Sequence, residues 1–254
     1  MNLELRDKRV VITGAAKGIG YATAKLFLEE GAHVVFSARK EGQGNEALEE
    51  LKNVNRDSNV FLYSGDLTDK KEITNCMSFA KEKLGGIDIL VTNIGSGKPE
   101  GDPSSKEEKE RMFTINFESA KKAVQEAGSL MEHNGSVVVV SSIAGREPIG
   151  APPAYEEAKK ALLDFVKGES VSFAKRGIRI NSVAPGNVKF KDGRWEEILK
   201  NDPTVEAKVL QKVPMQRFGE PKEIASIIVF LASSCSSFVT GACWVVDGGQ
   251  SKKI

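Results

Sequence analysis

Short apolar runs alternate with longer stretches of helical period along the whole chain. The apolar runs fall at 9–13, 33–37, 60–63, 87–91, 137–140, 178–183 and 243–246. Because they are almost continuously apolar, they predict strands that are buried on both faces, as in a parallel sheet. The stretches between them predict helices at 45–52, 71–83, about 106–131 and 221–232, with two further helices ending at 30 and 176. This alternation is typical of an α/β fold with helices on both faces of the sheet.

Nothing in the sequence divides the 254 residues into separate units. No linker of low complexity and no internal repeat interrupts the alternation, and α/β folds of this length are commonly single domains. We therefore expect residues 1–254 to form one doubly wound α/β domain on a seven-stranded parallel sheet.

A glycine-rich turn follows the first predicted strand. Gly14, Gly18 and Gly20 stand between the run 9–13 and the helix that ends at 30, with the spacing G-x-x-x-G-x-G. Glycines let the backbone approach a diphosphate closely, and the first N–H groups of the following helix are free to bind it. In this order of strand, turn and helix, the motif predicts a dinucleotide-binding site.

The end of the second strand indicates which dinucleotide binds. An acidic residue at this point would bind the adenosine ribose hydroxyls of NAD(H). The chain has instead Ser37-Ala38-Arg39-Lys40, and Lys17 in the glycine turn adds a cation nearby. Because such cations pair with the 2′-phosphate of NADP(H), the charges favour NADP(H) over NAD(H). The alternative is that Arg39 and Lys40 are ordinary solvated loop charges.

Two side chains of the helix that ends at 176 indicate proton-transfer chemistry. Tyr155 and Lys159 stand four residues apart, a spacing at which side chains share one helix face. A free Tyr has a pKa of about 10, and we expect the Lys159 ammonium to lower the Tyr155 pKa toward the range of a general acid or base. Ser142 follows the strand 137–140, at the sheet edge where ligands bind. A surface Tyr beside an unrelated Lys is the alternative.

The order and spacing of several short motifs resemble the short-chain dehydrogenase/reductase superfamily across essentially the full length of the chain. The matching segments are Thr13-Gly14-Ala15-Ala16-Lys17-Gly18-Ile19-Gly20, Asp66-Leu67, Asn116, Ser141-Ser142-Ile143-Ala144-Gly145, Tyr155 with Lys159, Asn181-Ser182-Val183-Ala184-Pro185-Gly186, Arg217-Phe218-Gly219-Glu220-Pro221 through 230–233, and Val246-Asp247-Gly248-Gly249. No single segment is decisive, but the set is specific. The resemblance implies a single-domain Rossmann fold and an oxidoreductase that interconverts a carbonyl and a secondary alcohol by hydride transfer.

The resemblance also implies a role for each catalytic residue. Tyr155 would protonate the carbonyl oxygen as hydride arrives, or accept the proton in the reverse direction. Lys159 would lower the Tyr155 pKa and hold the nicotinamide ribose, and Ser142 would stabilise charge on the substrate oxygen. Asn116 would hold a water of a proton relay. The implied cofactor-binding residues are Gly14, Ala16, Lys17, Gly18, Ile19, Gly20, Ser37, Ala38, Arg39, Asp66, Leu67, Asn93, Ile94, Gly95, Tyr155, Lys159, Pro185, Gly186 and Val188.

The chain departs from the family pattern at a few positions. Thr92 and Ile94 lie in a segment that usually reads N-N-A-G; Thr92 can still hydrogen-bond, whereas Ile94 is bulkier than Ala. Phe190 stands where the family often has a Thr that contacts the cofactor, and a phenyl ring cannot make that contact. Glu156 and Glu157 replace small residues after the Tyr, and helix geometry should turn them away from the Lys159 face.

The loop and helix expected from about 187 to 213 and the turn 145–153 should determine the substrate. Loops of this length in a compact domain are usually functional lids. The 187–213 segment carries cations beside aromatic residues, which suits a small polar or anionic substrate with some apolar surface. The alternative is that these charges lie on the solvent-exposed face of a lid. The residues concerned are Lys189, Phe190, Lys191, Arg194 and Trp195.

Composition narrows the partners and the compartment. Lys plus Arg number 36 and Asp plus Glu 35, and this balance, without long runs of one charge, argues against a nucleic acid or a membrane surface as partner. No apolar stretch has the length of a signal peptide or a membrane span. The three cysteines contain no C-x-x-C pair, so we interpret them as buried free thiols of a reducing, cytoplasmic compartment and expect no metal site.

Three functions stay open at this point. The first is an NADP(H)-dependent carbonyl reductase or alcohol dehydrogenase acting on a small polar molecule. The second is a 3-oxoacyl-carrier-protein reductase, in which Lys175-Arg176 could contact an acidic carrier. The third is a regulator that binds the cofactor without turnover, against which the intact catalytic residues argue. The resemblance further implies a homodimer or homotetramer, with apolar faces from Ala120, Ala123, Val124, Ala127, Phe165 and Phe173.

Overall fold

A computed structural model describes residues 2–253 and places a strand at every predicted apolar run. The strands are β1 (Arg9–Thr13), β2 (His33–Ala38), β3 (Val60–Ser64), β4 (Ile87–Thr92), β5 (Met131–Val140), β6 (Arg179–Pro185) and β7 (Cys243–Val246). All neighbouring strands pair in parallel, in the order β3-β2-β1-β4-β5-β6-β7. The connections reverse direction between β1 and β4, and a doubly wound sheet binds its ligand at the carboxyl ends of the strands around such a point.

Helices cover both faces of this sheet, as the sequence predicts. They are α1 (Gly18–Glu29), α2 (Glu41–Lys52), α3 (Lys70–Leu84), α4 (Lys106–Phe113), α5 (Ser119–Leu130), α6 (Pro153–Lys175), α7 (Arg194–Asn201), α8 (Val205–Leu210) and α9 (Pro221–Ala232). Successive strand side chains point to opposite faces, so Val10 and Ile12 pack with α1, α2 and α9, whereas Val11 packs with α3, α5 and α6.

The single helix predicted at about 106–131 is interrupted in the structure. Thr114–Glu118 forms one π-helical turn between α4 and α5, and this wider turn carries Asn116. π turns inside helices are rare and occur often at functional sites. The following strand, β5, begins at Met131 rather than Val137, with an irregular register opposite Ile87 and Ile89. The first part of β5 contains exposed polar residues, so the apolar pattern of the sequence did not predict it as a strand.

The 187–213 segment, expected to contain a loop and a helix, has two short helices, α7 and α8. Neither helix contains a fully buried residue. α7 nevertheless has an apolar face at helical spacing, formed by the partly buried Trp195, Ile198 and Leu199.

Two expectations about buried residues are wrong. Cys76 is buried, but Cys235 is exposed and Cys243 is only partly covered; all three thiols are free. The residues expected to form an apolar oligomer face are mostly core residues of the chain itself, because α5 and α6 turn them toward the sheet. Those that are buried are Ala120, Ala123, Val124, Ala127 and Phe173.

Within residues 2–253, every helix is too short or too polar to cross a lipid bilayer.

Candidate active site

One cleft of about 930 Å³ opens along the carboxyl ends of the central strands. Its wall includes the glycine turn after β1, the end of β2, the loop after β4, the start of α6 and the 187–213 segment. The predicted residues that line it are Gly14, Ala16, Lys17, Ile19, Ala38, Arg39, Asn93, Ile94, Gly95, Ser142, Tyr155, Lys159, Pro185, Gly186 and Val188. The cleft therefore brings the predicted proton-transfer pair and the glycine turn into one site.

Backbone packing explains the glycines of the turn after β1. Gly14 has a φ of 70°, a left-handed conformation that glycine adopts without strain. A Cβ on Gly20 would lie 2.5 Å from the Gly14 carbonyl oxygen and 2.6 Å from Asn93 Nδ2. Asn93 also donates from Nδ2 to the Gly14 carbonyl at 2.7 Å. These contacts hold the backbone of the turn in one tightly packed conformation. The first N–H groups of α1, which have no partner within the helix, can therefore bind a ligand.

Ser37 lies beneath the glycine turn and does not line the cleft. Its side chain is buried, and Oγ accepts a hydrogen bond from the Gly14 backbone N–H at 2.9 Å. The structure thus places this residue as a support of the turn, where the sequence predicted a cofactor contact.

Three cations surround the end of β2 and the glycine turn. Arg39 and Lys40 are exposed and line the cleft next to Ala38. Lys17 also lines it, while its Nζ donates to the Asp192 carbonyl at 2.7 Å. No carboxylate lies along the cleft wall, whose residues all fall within the described range. This end of the cleft is therefore positively charged.

Tyr155 and Lys159 share one face of α6, as their spacing predicts. Lys159 Nζ lies 5.8 Å from the centre of the Tyr155 ring and donates to the Val140 carbonyl at 3.1 Å. Lys159 is only 3% exposed. The carboxyl end of β5 thus holds the ammonium beside the phenol.

The pKa of Tyr155 shifts in the direction opposite to the expected one. Burial raises the pKa of the Tyr155 phenol, and a hydrogen bond from the Ser142 hydroxyl offsets only part of that rise. Burial also lowers the pKa of Lys159 to about 8, since few polar groups replace the water around its ammonium. The free site therefore favours a protonated phenol at neutral pH.

The buried ammonium predicts a measurable effect on stability. The Lys159 pKa is about 8 in the folded chain and 10.5 when unfolded, so the unfolded chain binds more protons between these values. Stability should therefore rise with pH from about 8 to 10.5, and Lys159→Met should be more stable than the parent at pH 7, by up to roughly 3 kcal/mol. Urea denaturation at pH 7 and at pH near 10 measures both effects.

Lys160→Met is the matched control, because Lys160 is the exposed neighbour on the same helix. It should leave the pH dependence of the parent unchanged. A Lys159→Met variant that keeps the parent's rise in stability above pH 8, or is less stable at pH 7, would contradict the buried-charge interpretation.

Asn116 organises the back of the site without lining the cleft. Its Oδ1 accepts from the Ser96 N–H at 2.9 Å, and its Nδ2 donates to the Ser96 and Met112 carbonyls, each at 2.9 Å. A Cβ on Gly95 would lie 2.9 Å from Lys159 Nζ and 3.0 Å from Asn116 Oδ1. Because Gly95 has no side chain, the Asn116 amide and the Lys159 ammonium can both lie close to its backbone. The π turn carries Asn116 to this position.

Ser142 and Glu156 shape the approach to Tyr155. Ser142 Oγ accepts from the Ala144 N–H at 3.1 Å, which caps a short 3-10 helix, Ile143–Gly145. Glu156 Oε1 accepts from the Ile149 and Ala151 N–H groups at 3.0 and 3.1 Å. Sequence reasoning placed Glu156 away from Lys159 but missed this function, which fixes the turn before α6. The contact is local in sequence, but an acceptor in an irregular turn follows no regular spacing by which the sequence pattern could predict it.

The residues that depart from the family pattern occupy specific places around the glycine turn. The Phe190 ring covers Gly18, since a Cβ on Gly18 would lie 2.6 Å from Phe190 Cζ. Ile94 packs on Gly14 in the same way, with Cγ1 2.9 Å from the position of a Cβ. Within residues 2–253, the buried Thr92 Oγ1 has no hydrogen-bond partner, so the expectation that Thr92 still hydrogen-bonds is wrong.

The 187–213 segment contacts both sides of the cleft. Besides the bond from Lys17 to the Asp192 carbonyl, Lys98 after β4 forms a 2.5 Å ion pair with Glu197 on α7. Of the cations predicted for a lid, Arg194 lines the cleft, whereas Lys189 and Lys191 do not. Lys189 pairs with Glu206 at 3.3 Å. A cation that the sequence reasoning missed, Lys212, also lines the cleft.

Asp66 and Leu67 lie outside the cleft wall. Asp66 is exposed, and its Oδ1 accepts from the N–H and hydroxyl of Thr68 at 3.0 and 2.8 Å, as a turn former does. Leu67 is buried against α3 and the sheet. The structure does not show either side chain in contact with the cleft.

The residues present fit a nicotinamide dinucleotide. The small residues Gly14 and Ala16 line the cleft at the glycine turn, no side chain caps the first N–H groups of α1, and cations surround the end of β2. Across residues 2–253, no group of three or more His, Cys, Asp or Glu side chains is placed to hold a metal ion.

Comparison with known proteins gives consistent matches along the whole chain. A family model described as "Enoyl-(Acyl carrier protein) reductase" matches residues 14–251. The chain is 33% identical to 2-(S)-hydroxypropyl-CoM dehydrogenase 3 of Xanthobacter autotrophicus, with 98% of this chain and 99% of that protein aligned. It is also 33% identical to the 3-oxoacyl-[acyl-carrier-protein] reductase of Thermotoga maritima, covering 97% and 99% of the two chains.

A solved structure also matches this chain over its full length. The crystal structure of L-sorbose reductase from Gluconobacter frateurii, complexed with NADPH and L-sorbose, is similar to this chain with a TM-score of 0.90. The two are 26% identical, and the match covers 100% of both chains.

Proposed function

Since the chain belongs to the short-chain dehydrogenase/reductase family, we propose that it is an NADP(H)-dependent oxidoreductase that interconverts a carbonyl and a secondary alcohol. The observation that carries this proposal is the single cleft that joins Tyr155, Lys159 and Ser142 to the glycine turn. The family acts on alcohol and carbonyl substrates and uses a nicotinamide cofactor; the NADP(H) preference and the residue roles are specific to this proposal.

Each catalytic residue has one task in the proposed reaction. A bound nicotinamide would supply the hydride for a carbonyl carbon, or accept it from an alcohol. Tyr155 donates its phenolic proton to the carbonyl oxygen, and Ser142 hydrogen-bonds the same oxygen as its negative charge grows. Lys159 holds a positive charge beside the phenol, which lowers the cost of leaving a phenolate. The raised Tyr155 pKa keeps the phenol protonated, as carbonyl reduction requires.

The residues around the glycine turn would hold the cofactor. Gly14, Gly18, Gly20 and the start of α1 would bind the diphosphate, and Arg39, with Lys17 and Lys40 nearby, would bind the 2′-phosphate. Asn93, Ile94 and Gly95 would contact the adenosine side, and Pro185, Gly186 and Val188 the nicotinamide. Asn116 would act with Lys159 in a proton relay through water.

A carbonyl panel with NADPH tests the proposal. The panel comprises keto sugars, keto acids with their esters, and a 3-oxoacyl thioester, and the measurement is the loss of NADPH absorbance. We expect turnover of at least one small polar carbonyl. No consumption with any of them would contradict the proposed function, and turnover of the 3-oxoacyl thioester alone would replace it by the carrier-protein reductase alternative.

The carrier-protein alternative has little support at the surface expected to bind the carrier. Arg176, one of its two predicted cations, donates to the carbonyls of Gly128 and Met131 and packs on the Phe173 ring. Because these contacts engage the guanidinium within the chain, Lys175 is left as the more available cation of the pair.

We also propose that the protein forms a homodimer or homotetramer. Phe113, Phe117 and Phe165 pack together where the π turn meets α6, and each is only partly buried. Near the edge strand β7, Val245 is 36% and Phe238 fully exposed. Exposed apolar side chains and an open sheet edge are features that a second subunit would cover. Light scattering should give a mass of two or four chains; a monodisperse monomer at micromolar concentration would contradict this.

A further inference from the structure

The charged residues that line the cleft are all cations. They are Lys17, Arg39, Lys40, Lys159, Arg194 and Lys212, and none of the lining residues is an Asp or a Glu. The chain as a whole is nearly balanced, with 36 cations and 35 acidic residues. The asymmetry is therefore a property of the cleft. A cleft lined by one sign of charge raises the local concentration of ligands with the opposite sign.

These cations fall into groups along the cleft. Lys17, Arg39 and Lys40 lie at the glycine turn and the end of β2, where the phosphates of the proposed cofactor would bind. Lys159 lies beside Tyr155. Arg194 and Lys212 belong to the 187–213 segment, which contacts the glycine turn at Phe190 and Asp192. The proposed cofactor accounts for the first group of cations, whereas no ligand has yet been assigned to Arg194 and Lys212.

Lys212 is the better candidate of the two. Arg194 is engaged by Glu197 at 3.2 Å, and the same Glu197 also pairs with Lys98. In the part of the chain that the structure describes, Lys212 takes part in no ion pair with an acidic side chain. It is exposed and lines the cleft, so its charge is available to a ligand.

The part of the cleft wall formed by the 187–213 segment is partly apolar. Trp195, Ile198 and Val209 line the cleft on this segment, and the Asn187 side chain, also in the wall, donates to Gln250 at 2.8 Å. A pocket of this kind binds an apolar body by contact and orients it through a few polar groups.

We propose that the substrate is a keto acid or its hydroxy acid, or a related organic anion, and that Lys212 binds its anionic group. This inference rests on the proposed function, because it assigns the carbonyl end of the molecule to Tyr155. The Lys212 ammonium pairs with the carboxylate while Tyr155 and Ser142 bind the carbonyl oxygen. Lys212 is thus a specificity-determining residue.

Matched pairs of substrates test the proposal. Pyruvate, acetoacetate and laevulinate, each compared with its methyl ester, vary the distance between carbonyl and carboxylate while the ester removes the charge. We expect at least one acid to have a higher kcat/KM than its ester. Lys212→Gln should lower that acid-to-ester ratio by about 10-fold or more, chiefly through KM, since charge-assisted hydrogen bonds contribute about that much. Lys212→Arg should retain most of the ratio.

Lys208→Gln is the matched control, because Lys208 lies on α8 one turn earlier and does not line the cleft. It should leave the acid-to-ester ratio at the parent value. A preference for the ester in every pair would overturn the proposal, as would an acid-to-ester ratio that Lys212→Gln does not change. In both cases, turnover of the esters would leave the proposed function standing.

A binding measurement keeps this proposal separate from the proposed function. Trp195 lines the cleft and Trp244 does not, so Trp244→Phe leaves one tryptophan that reports on the site. Titrating that variant with the acids and esters, with and without Lys212→Gln, gives dissociation constants that need no turnover. Tighter binding of an acid than of its ester, weakened about 10-fold by Lys212→Gln, supports the anion site even if no carbonyl is reduced. Equal binding of acid and ester overturns it.

Discussion

Tyr155→Phe should lower kcat for carbonyl reduction by about 10²- to 10⁴-fold, the range typical of losing a general acid. The substitution removes only the hydroxyl, so the ring keeps its packing beside Gly97 and its position 5.8 Å from Lys159 Nζ. Binding of NADPH, measured by fluorescence, should change little, because the turn at Gly14 and the cations near Arg39 are untouched. A loss of activity without a loss of cofactor binding places the phenol in the chemical step.

Tyr21→Phe is the control for this experiment. Its hydroxyl donates to Glu50 on the surface at 2.6 Å, away from the cleft. This variant should keep the parent activity, which shows that the loss of a phenolic hydroxyl alone does not inactivate the protein. A Tyr155→Phe variant that retains more than about a tenth of the parent kcat would contradict the general-acid role.

The pH dependence supplies an independent check on the same residue. Because burial raises the pKa of Tyr155, the phenol stays protonated through neutral pH, and carbonyl reduction should not lose its acid there. Alcohol oxidation needs the phenolate instead, so its rate should rise as pH increases above neutral. Tyr155→Phe should remove this rise from whatever activity is left. An oxidation rate that falls with pH from neutral upward would contradict the assignment.

The parts of the site that the sequence predicted are those set by short-range geometry. Tyr155 and Lys159 meet because a spacing of four places two side chains on one helix face. The glycine turn follows from the order of strand, turn and helix, and the apolar runs mark the strands because both faces of a parallel sheet are buried. These signals need no knowledge of which distant residues come together.

The parts that were missed depend on contacts between distant segments. Phe190 covers Gly18, and Lys98 pairs with Glu197. Lys212 lines the cleft only when the 187–213 segment is folded against residues far from it in the chain, and the pKa of Tyr155 depends on burial in the folded chain. The sequence reasoning counted the charge of Lys159 but not the loss of water around both groups, and burial proved the larger effect.

Arg39→Asp should reverse the cofactor preference. The guanidinium lies at the carboxyl end of β2 in the cleft wall, and a carboxylate there would repel the 2′-phosphate of NADPH while it accepts hydrogen bonds from the ribose hydroxyls of NADH. Losing one charge-assisted contact weakens binding by about 10- to 100-fold, and repulsion adds to that loss. The ratio of the Kd for NADH to that for NADPH should therefore fall by about 100-fold or more.

Arg56→Asp makes the same change of charge at an exposed residue that does not line the cleft, so it should keep the parent ratio at any given ionic strength. This control separates a local contact from the general effect of net charge on an anionic ligand. The parent's preference for NADPH should also weaken as salt is raised, because exposed ion pairs are screened. If the parent protein binds NADH at least as tightly as NADPH, the cations at this end of the cleft do not bind a 2′-phosphate. In that case Arg39→Asp would leave the ratio near its starting value.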